Sequence, residues 1–293
     1  MLDDGHYPMT TEFKQTSKTK DQLIVGESAI TGQWLMVIRK IFSRRWWKTT
    51  VLVLLAMVVM ARLGIWQLDR LEHRQAFNTR VQTQLDQPTL VLEGIAFDED
   101  LENMEYRQVV VQGVYDHDAE VALRNQVWNS QAGVHLLTPL QIKGSDRVVL
   151  VNRGWIPYED FTSGEWSKYA EPGLIEVSGM IRASESKPDF GSRNDPIPMP
   201  GEAPLKAWHL TNVDGINRQV PYDLLPVYIQ QSPDTNWVKM PYRSEPDLEL
   251  TEGSHFGYAI QWFTFAGILG IGYLFFIRRE ELASSTDQGR KDR

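Results

Sequence analysis

Two apolar spans stand near opposite ends of this chain and bracket a long polar stretch. The first runs from about Trp47 to Trp66 and the second from about Tyr258 to Ile277. Each holds about 20 residues, the length an α-helix needs to cross a hydrocarbon core of about 30 Å. The roughly 190 residues between them are too polar to enter lipid. The pattern predicts a folded domain held to a membrane at both its ends.

The flanking charges set a direction. Arg39, Lys40, Arg44, Arg45 and Lys48 crowd the near side of the first span, and Arg278 and Arg279 follow the second. The approach to the second span is acidic, with Glu245, Asp247, Glu249 and Glu252. The positive-inside bias puts both termini in the cytoplasm and the central domain outside. Arg70, Arg74 and Arg80 on the outer flank make that bias moderate. A cleaved signal peptide is the competing reading of the first span. About 45 residues precede the span and no A-x-A-like site follows it, so it is expected to stay as an anchor. Asp3, Asp4 and Glu12 argue against an organelle transit peptide. A bacterial inner membrane is the simplest address. The expected organisation is a cytoplasmic tail over 1–46, a first transmembrane helix over 47–66, and an extracytoplasmic, periplasmic domain over 67–254. A second transmembrane helix over 255–277 and a cytoplasmic tail over 278–293 complete it.

The chain has no cysteine, which excludes disulfides, thiolate copper sites and zinc ribbons. A net charge of −8 argues against nucleic acid as a partner. Trp46, Trp47, Trp66 and Trp262 fall where membrane lipid headgroups would meet an aromatic belt.

Residues 1 to about 30 are polar and aperiodic, and read as disordered. Trp34 to Phe42 reads as a short surface helix. The first helix is expected to run on outward, because Phe77, Val81 and Leu85 keep a spacing of four until Pro88 stops it. Strands are predicted at 106–115, 120–126, 134–142, 147–156, 174–182 and 226–231, each rich in Val, Ile or Tyr and bounded by turn residues. Short helices are predicted near 159–169 and 213–219. Asp116-His117-Asp118 reads as a hairpin loop, and the proline-rich stretch 188–204 as a loop or flap. The fold class is α+β: two transmembrane helices flanking a mainly antiparallel β domain with a few helices, a curled sheet or open barrel.

Enzyme signatures are thin. There is no nucleophile elbow, Walker loop or H-E-x-x-H. Ser184-Glu185-Ser186-Lys187 matches S-x-x-K, but the pattern recurs at Ser17–Lys20 and lacks its companions. Asp116, His117 and Asp118 could ligate a metal, yet a solvated turn explains them as well. The informative residues cluster at the outer membrane boundary. His255 stands one helical turn from Tyr258 and Ala259, then come Trp262, Ala266 and Gly270. An imidazole above an aromatic and small-residue stripe suits an axial ligand of haem iron. Arg62, Arg70 and Arg74 are cations that could meet haem propionates. The plainer readings are an interfacial histidine, belt aromatics at Trp66, Tyr258 and Trp262, a snorkelling Arg62, and a stripe that only packs the two spans together.

Three ordered blocks resemble the surfeit locus protein 1 family of cytochrome c oxidase assembly factors. Gly64-Ile65-Trp66-Gln67-Leu68-Asp69-Arg70 resembles its G-x-W-Q-L-x-R. Val151-Asn152-Arg153-Gly154-Trp155-Ile156-Pro157 resembles its N-R-G-aromatic-V-P. His255-Phe256-Gly257-Tyr258-Ala259-Ile260-Gln261-Trp262-Phe263 resembles its H-x-x-Y-x-x-x-W-aromatic. Pro226-Val227-Tyr228-Ile229 resembles a further block, and the resemblance covers roughly residues 48–280. It implies a non-enzymatic accessory role: delivery or insertion of haem a into subunit I of a haem–copper oxidase, with haem a synthase a further partner. It marks His255 as the metal ligand; the residue pattern itself adds Tyr258, Trp262, Trp66, Arg62 and Arg70 as the expected surroundings of the cofactor. His73, His117, His135 and His209 stay open as second ligands. For Asn152, Arg153 and Gly154 the expected role is a strand end turned by Gly154 and Pro157. The competing classes are a scaffold that binds oxidase subunits without haem, an extracytoplasmic ligand-binding sensor, and a tethered hydrolase. The short tail after Ile277 disfavours the sensor, and the missing nucleophile motif disfavours the hydrolase.

Overall fold

The computed structural model describes residues 43–291, apart from 95, 96, 98, 188–194, 197, 199–201, 235, 236 and 247. The expected N-terminal tail up to Phe42, its surface helix and most of the proline-rich stretch lie outside the described residues. The chain divides into two compact units, residues 1–74 with 252–293, and residues 75–251.

The first unit is built on two long helices. Helix α1 spans Trp47–Leu85, 39 residues, or about 58 Å at 1.5 Å per residue. That is nearly twice a hydrocarbon core, so only its first half is needed to cross one. Residues past Arg74 belong to the second unit. A helix over His255–Lys291 makes the other long element. Both are long and apolar enough to cross a membrane. The two run antiparallel. Thr50 Oγ1 lies 2.6 Å from the Tyr273 hydroxyl, Met57 meets Gly270, and Gly64 lies under the Phe263 ring. A Cβ on Gly64 would come within 2.8 Å of that ring, so glycine sets the approach distance.

The second unit is a β barrel. The two residues Leu90–Val91 form β1. Then come β2 (Gln108–Tyr115), β3 (Val121–Trp128), β4 (Gln131–Ile142) and β5 (Val148–Pro157). Helix α2 (Tyr158–Ser163), β6 (Ile175–Ala183), β7 (Ala207–Trp208), α3 (Val213–Asn217) and β8 (Leu224–Gln231) follow, and the C-terminal long helix is α4. Pairing runs β2–β6–β8–β5–β4 and returns from β4 to β2. The five strands therefore close on themselves, where a curled sheet or open barrel was expected, and the ends of the sheet fall to the two-residue strands β1 and β7. All of these ring pairs are antiparallel except β5–β8.

Closure depends on the 12 residues of β4. Its first part pairs with β3, and Leu140 to Ile142 pair with β2. β2 and β3 thus lie end to end along one partner. Asp116-His117-Asp118 is a link between them and not the expected hairpin loop. Asp116 Oδ1 holds the link by accepting from the backbone N–H groups of Asp118 and Ala119. The hairpin is β3–β4, turned by Asn129 and Ser130, both with positive φ.

Alternating strand residues fill the barrel: Val109 and Val111, Val149 and Val151, Val177 and Ile181, Val227 and Ile229. β5 is buried along almost its whole length, because α3 and Trp208 cover the outer face at Leu150. The end of α1 belongs to this unit. Phe77, Val81 and Leu85, read from their spacing, pack on Tyr106 and Met180.

Gly154 is held at φ +116, and a Cβ there would stand 2.4 Å from the Tyr242 carbonyl oxygen. That contact is backbone on backbone, since Trp155 and Tyr242 exchange N–H···O bonds of 2.8 Å. Gly154→Ala is expected to destabilise the protein by about 1–3 kcal/mol from dihedral strain alone. Urea unfolding in detergent measures this, and an unchanged midpoint would contradict it.

Candidate functional site

His255 is the first residue of α4 and follows Gly253, whose φ of +70 turns the chain into the helix. Its imidazole is half-buried. Nδ1 lies 2.8 Å from Gln67 Oε1 on α1. A carbonyl oxygen only accepts, so Nδ1 donates and Nε2 carries the lone pair of the neutral ring. Among the described residues no polar group takes up Nε2.

The remaining residues of the expected site divide by exposure. At 100° per residue, Ala259, Trp262 and Ala266 fall within 40° of His255 on α4. Ala259 and Ala266 are buried, and Trp262 is half-buried and edge-on to Phe265. This face meets α1, so the small residues pack the helices together. Tyr258 lies 60° from His255, beyond Trp262 on the same side, and is exposed, as is Trp66 on α1. Arg70 is exposed. Arg62 is exposed too, 3.9 Å from Asp69 Oδ2. An exposed pair of that length contributes little, so the guanidinium stays available to another anion. His255 and Trp262 share one side of α4, two turns apart, and Tyr258, Trp66, Arg62 and Arg70 are exposed.

Gln67 was part of the first sequence block without a role. Its signal is weak, a lone amide where an apolar helix turns polar. Its partner is 188 residues away.

The second block takes a different part. Arg153 is fully buried on β5. Its Nη1 donates to Glu120 Oε2 at 2.7 Å and its Nη2 to Glu171 Oε1 at 2.8 Å, and Nη2 also reaches the Tyr169 carbonyl. The guanidinium lies 4.8 Å over the Tyr115 ring. Glu120 also accepts from Thr138, and Glu171 from Arg243. Two arginines face two carboxylates, so the buried charge is balanced. Burial by itself would raise the Glu120 carboxyl. Hydrogen bonds from His117, Thr138 and Arg153, with the Arg153 charge, outweigh it and hold the group below its ordinary range. His117 accepts from the Glu171 backbone N–H through Nε2 and turns Nδ1 to Glu120 at 3.5 Å. This cluster fastens the 117–120 link, the 169–171 loop and Arg243 to the barrel. No group of three or more His, Cys, Asp or Glu among the described residues could hold a metal. Ser184, of the S-x-x-K match, accepts from the Val213 backbone N–H.

The SURF1 family model matches residues 54–267, and all three sequence blocks lie within that span. The chain belongs to the SURF1 family. A SURF1-like protein of Caenorhabditis elegans is 25% identical over 76% of this chain and 72% of its own length. One from Rickettsia bellii is 26% identical over 79% and 91%. Human surfeit locus protein 1 is 22% identical over 72% and 71%.

Two outcomes follow from the barrel chemistry. Arg153→Met leaves Glu120 buried without its main partner, while half-buried Glu171 keeps Arg243, and should cost about 3–5 kcal/mol, read as a lowered urea midpoint. A wild-type midpoint would contradict it. His135 accepts from the Asn152 amide, and burial holds its imidazole down at about 4 against an ordinary 6.5. Below 6.5 the unfolded chain takes up a proton that the folded chain refuses. Stability is therefore full above that pH and falls as pH drops towards 4, by up to about 3 kcal/mol. His135→Gln should flatten the loss between pH 7 and 5, and an unchanged slope would contradict this.

Proposed function

We propose that this SURF1-family protein is a non-enzymatic, membrane-anchored assembly factor for cytochrome c oxidase. In this reading it aids delivery or insertion of haem a into subunit I of the haem–copper oxidase, next to a haem a synthase. Family membership supports the oxidase role, and the His255 geometry carries the haem role. A haem brings its own equatorial ligands, so one imidazole with an open Nε2 suffices from the protein. The donor set fits that group better than a bare metal ion, which would need several protein ligands. Exposed Trp66 and Tyr258 offer flat apolar surface, and Arg62 and Arg70 offer charge for propionates. The haem would supply redox and axial-ligand chemistry, and the protein would hold and release it.

The flanking charges support an inner-membrane protein with both termini cytoplasmic and the barrel extracytoplasmic. In that frame 20 residues from Trp47 reach Trp66, and 20 residues back from Ile277 reach Tyr258. His255 and Gln67 then lie at the outer surface of the membrane.

The test is oxidase haem content in cells whose only copy is His255→Ala. Loss of haem a from assembled subunit I, at normal levels of the variant, is expected. Normal haem content would overturn the haem role and leave a scaffold that binds oxidase subunits.

A further inference from the structure

Gln67 can act in two ways, as a clasp between helices or as a partner that prepares an imidazole for ligation. The hydrogen bond of 2.8 Å joins a side chain of α1 to one of α4, which either role would use. Three observations favour the second. The amide presents its oxygen, which fixes the proton on Nδ1 and leaves the lone pair on Nε2. Nε2 has only the glycine Gly253 close by on the preceding turn, where an added Cβ would come into van der Waals contact at 3.6 Å, and among the described residues no hydrogen bond takes up that nitrogen. The helices are already clasped along their length by Gly64 under Phe263, Gly270 against Met57, and the Thr50–Tyr273 pair.

Resting on the haem reading of His255, we propose that Gln67 is its positioning residue, accepting from Nδ1 so that Nε2 stands deprotonated and oriented as the donor to a haem iron. Metal-bound histidines nearly always donate their second N–H to a carbonyl or carboxylate, which fixes the ring and raises its basicity. Here that acceptor comes from the other helix. A shift of α1 against α4 would loosen the ligand without touching it, a route to giving up a cargo that must be passed on.

The test has two arms on the full chain in detergent. Nitrogen-15 spectra of histidine-labelled protein at pH 8, with His255 assigned by its loss in His255→Gln, read the tautomer without any haem. Wild type is expected in the Nδ1-protonated form, Gln67→Leu in a mixture, and Gln67→Glu back in the wild-type form. A wild-type ring protonated on Nε2 overturns the proposal. Titration with ferric haem b is the second arm. Gln67→Leu should weaken His255-dependent binding by roughly 10–100-fold. Gln67→Glu should restore it with a lowered midpoint potential, which a mere clasp would not move. Equal affinity and potential across the Gln67 variants overturns the role of Gln67 while leaving His255 as ligand. Binding that does not depend on His255 overturns both.

Discussion

Along the seam between α1 and α4, contact is made at Thr50–Tyr273, Met57–Gly270, Gly64–Phe263 and Gln67–His255 in turn. In the proposed membrane setting, helices gain nothing from hiding apolar surface from one another, so their association would depend on close packing and a few hydrogen bonds. Here small residues supply the packing, Gly64 and Gly270 by direct approach and Ala259 and Ala266 by burial. The register they set brings His255 to Gln67 at the polar end. A large residue at Gly64 would act on the rim, because it would displace the ring of Phe263 two turns from His255.

The barrel solves a different problem. Arg153 and its carboxylates cost desolvation energy that a well-packed apolar core would avoid, and a buried ion pair is weak grounds for stability. What the cluster achieves is connection. Glu120, Glu171 and Arg243 come from segments that share no strand pairing with each other, and one guanidinium fan on β5 gathers two of them directly. Tyr242 pairs with Trp155 beside it and stacks on its ring. The N-R-G-W block is therefore architectural: Asn152 holds His135 and the Gly154 N–H, Arg153 the loops, and Gly154 the close backbone crossing.

Much of this was legible in the sequence. The long helices declare themselves by apolar length, and α1 past Arg74 by the spacing of Phe77, Val81 and Leu85. Six strands were visible because Val, Ile and Tyr run between turn residues. β1 and β7 were not, since two residues carry no periodicity. Closure of the barrel was hidden because nothing local says that β4 serves two partners. The stripe from His255 to Gly270 was legible as a helical face, but its partner was not. The same spacing suits a flat ligand or a helix, and only contact with α1 distinguishes them. Gln67 and the Arg153 partners were missed for one reason: each contact joins segments far apart in sequence.

The account depends most on the claim that this protein carries haem through His255. The direct measurement is an optical spectrum of the purified full chain after co-expression with a haem a synthase. A Soret band in wild type that disappears in His255→Ala, with the variant folded and in the membrane, is the predicted result. A wild-type protein free of haem, from cells in which the oxidase still assembles, would contradict it.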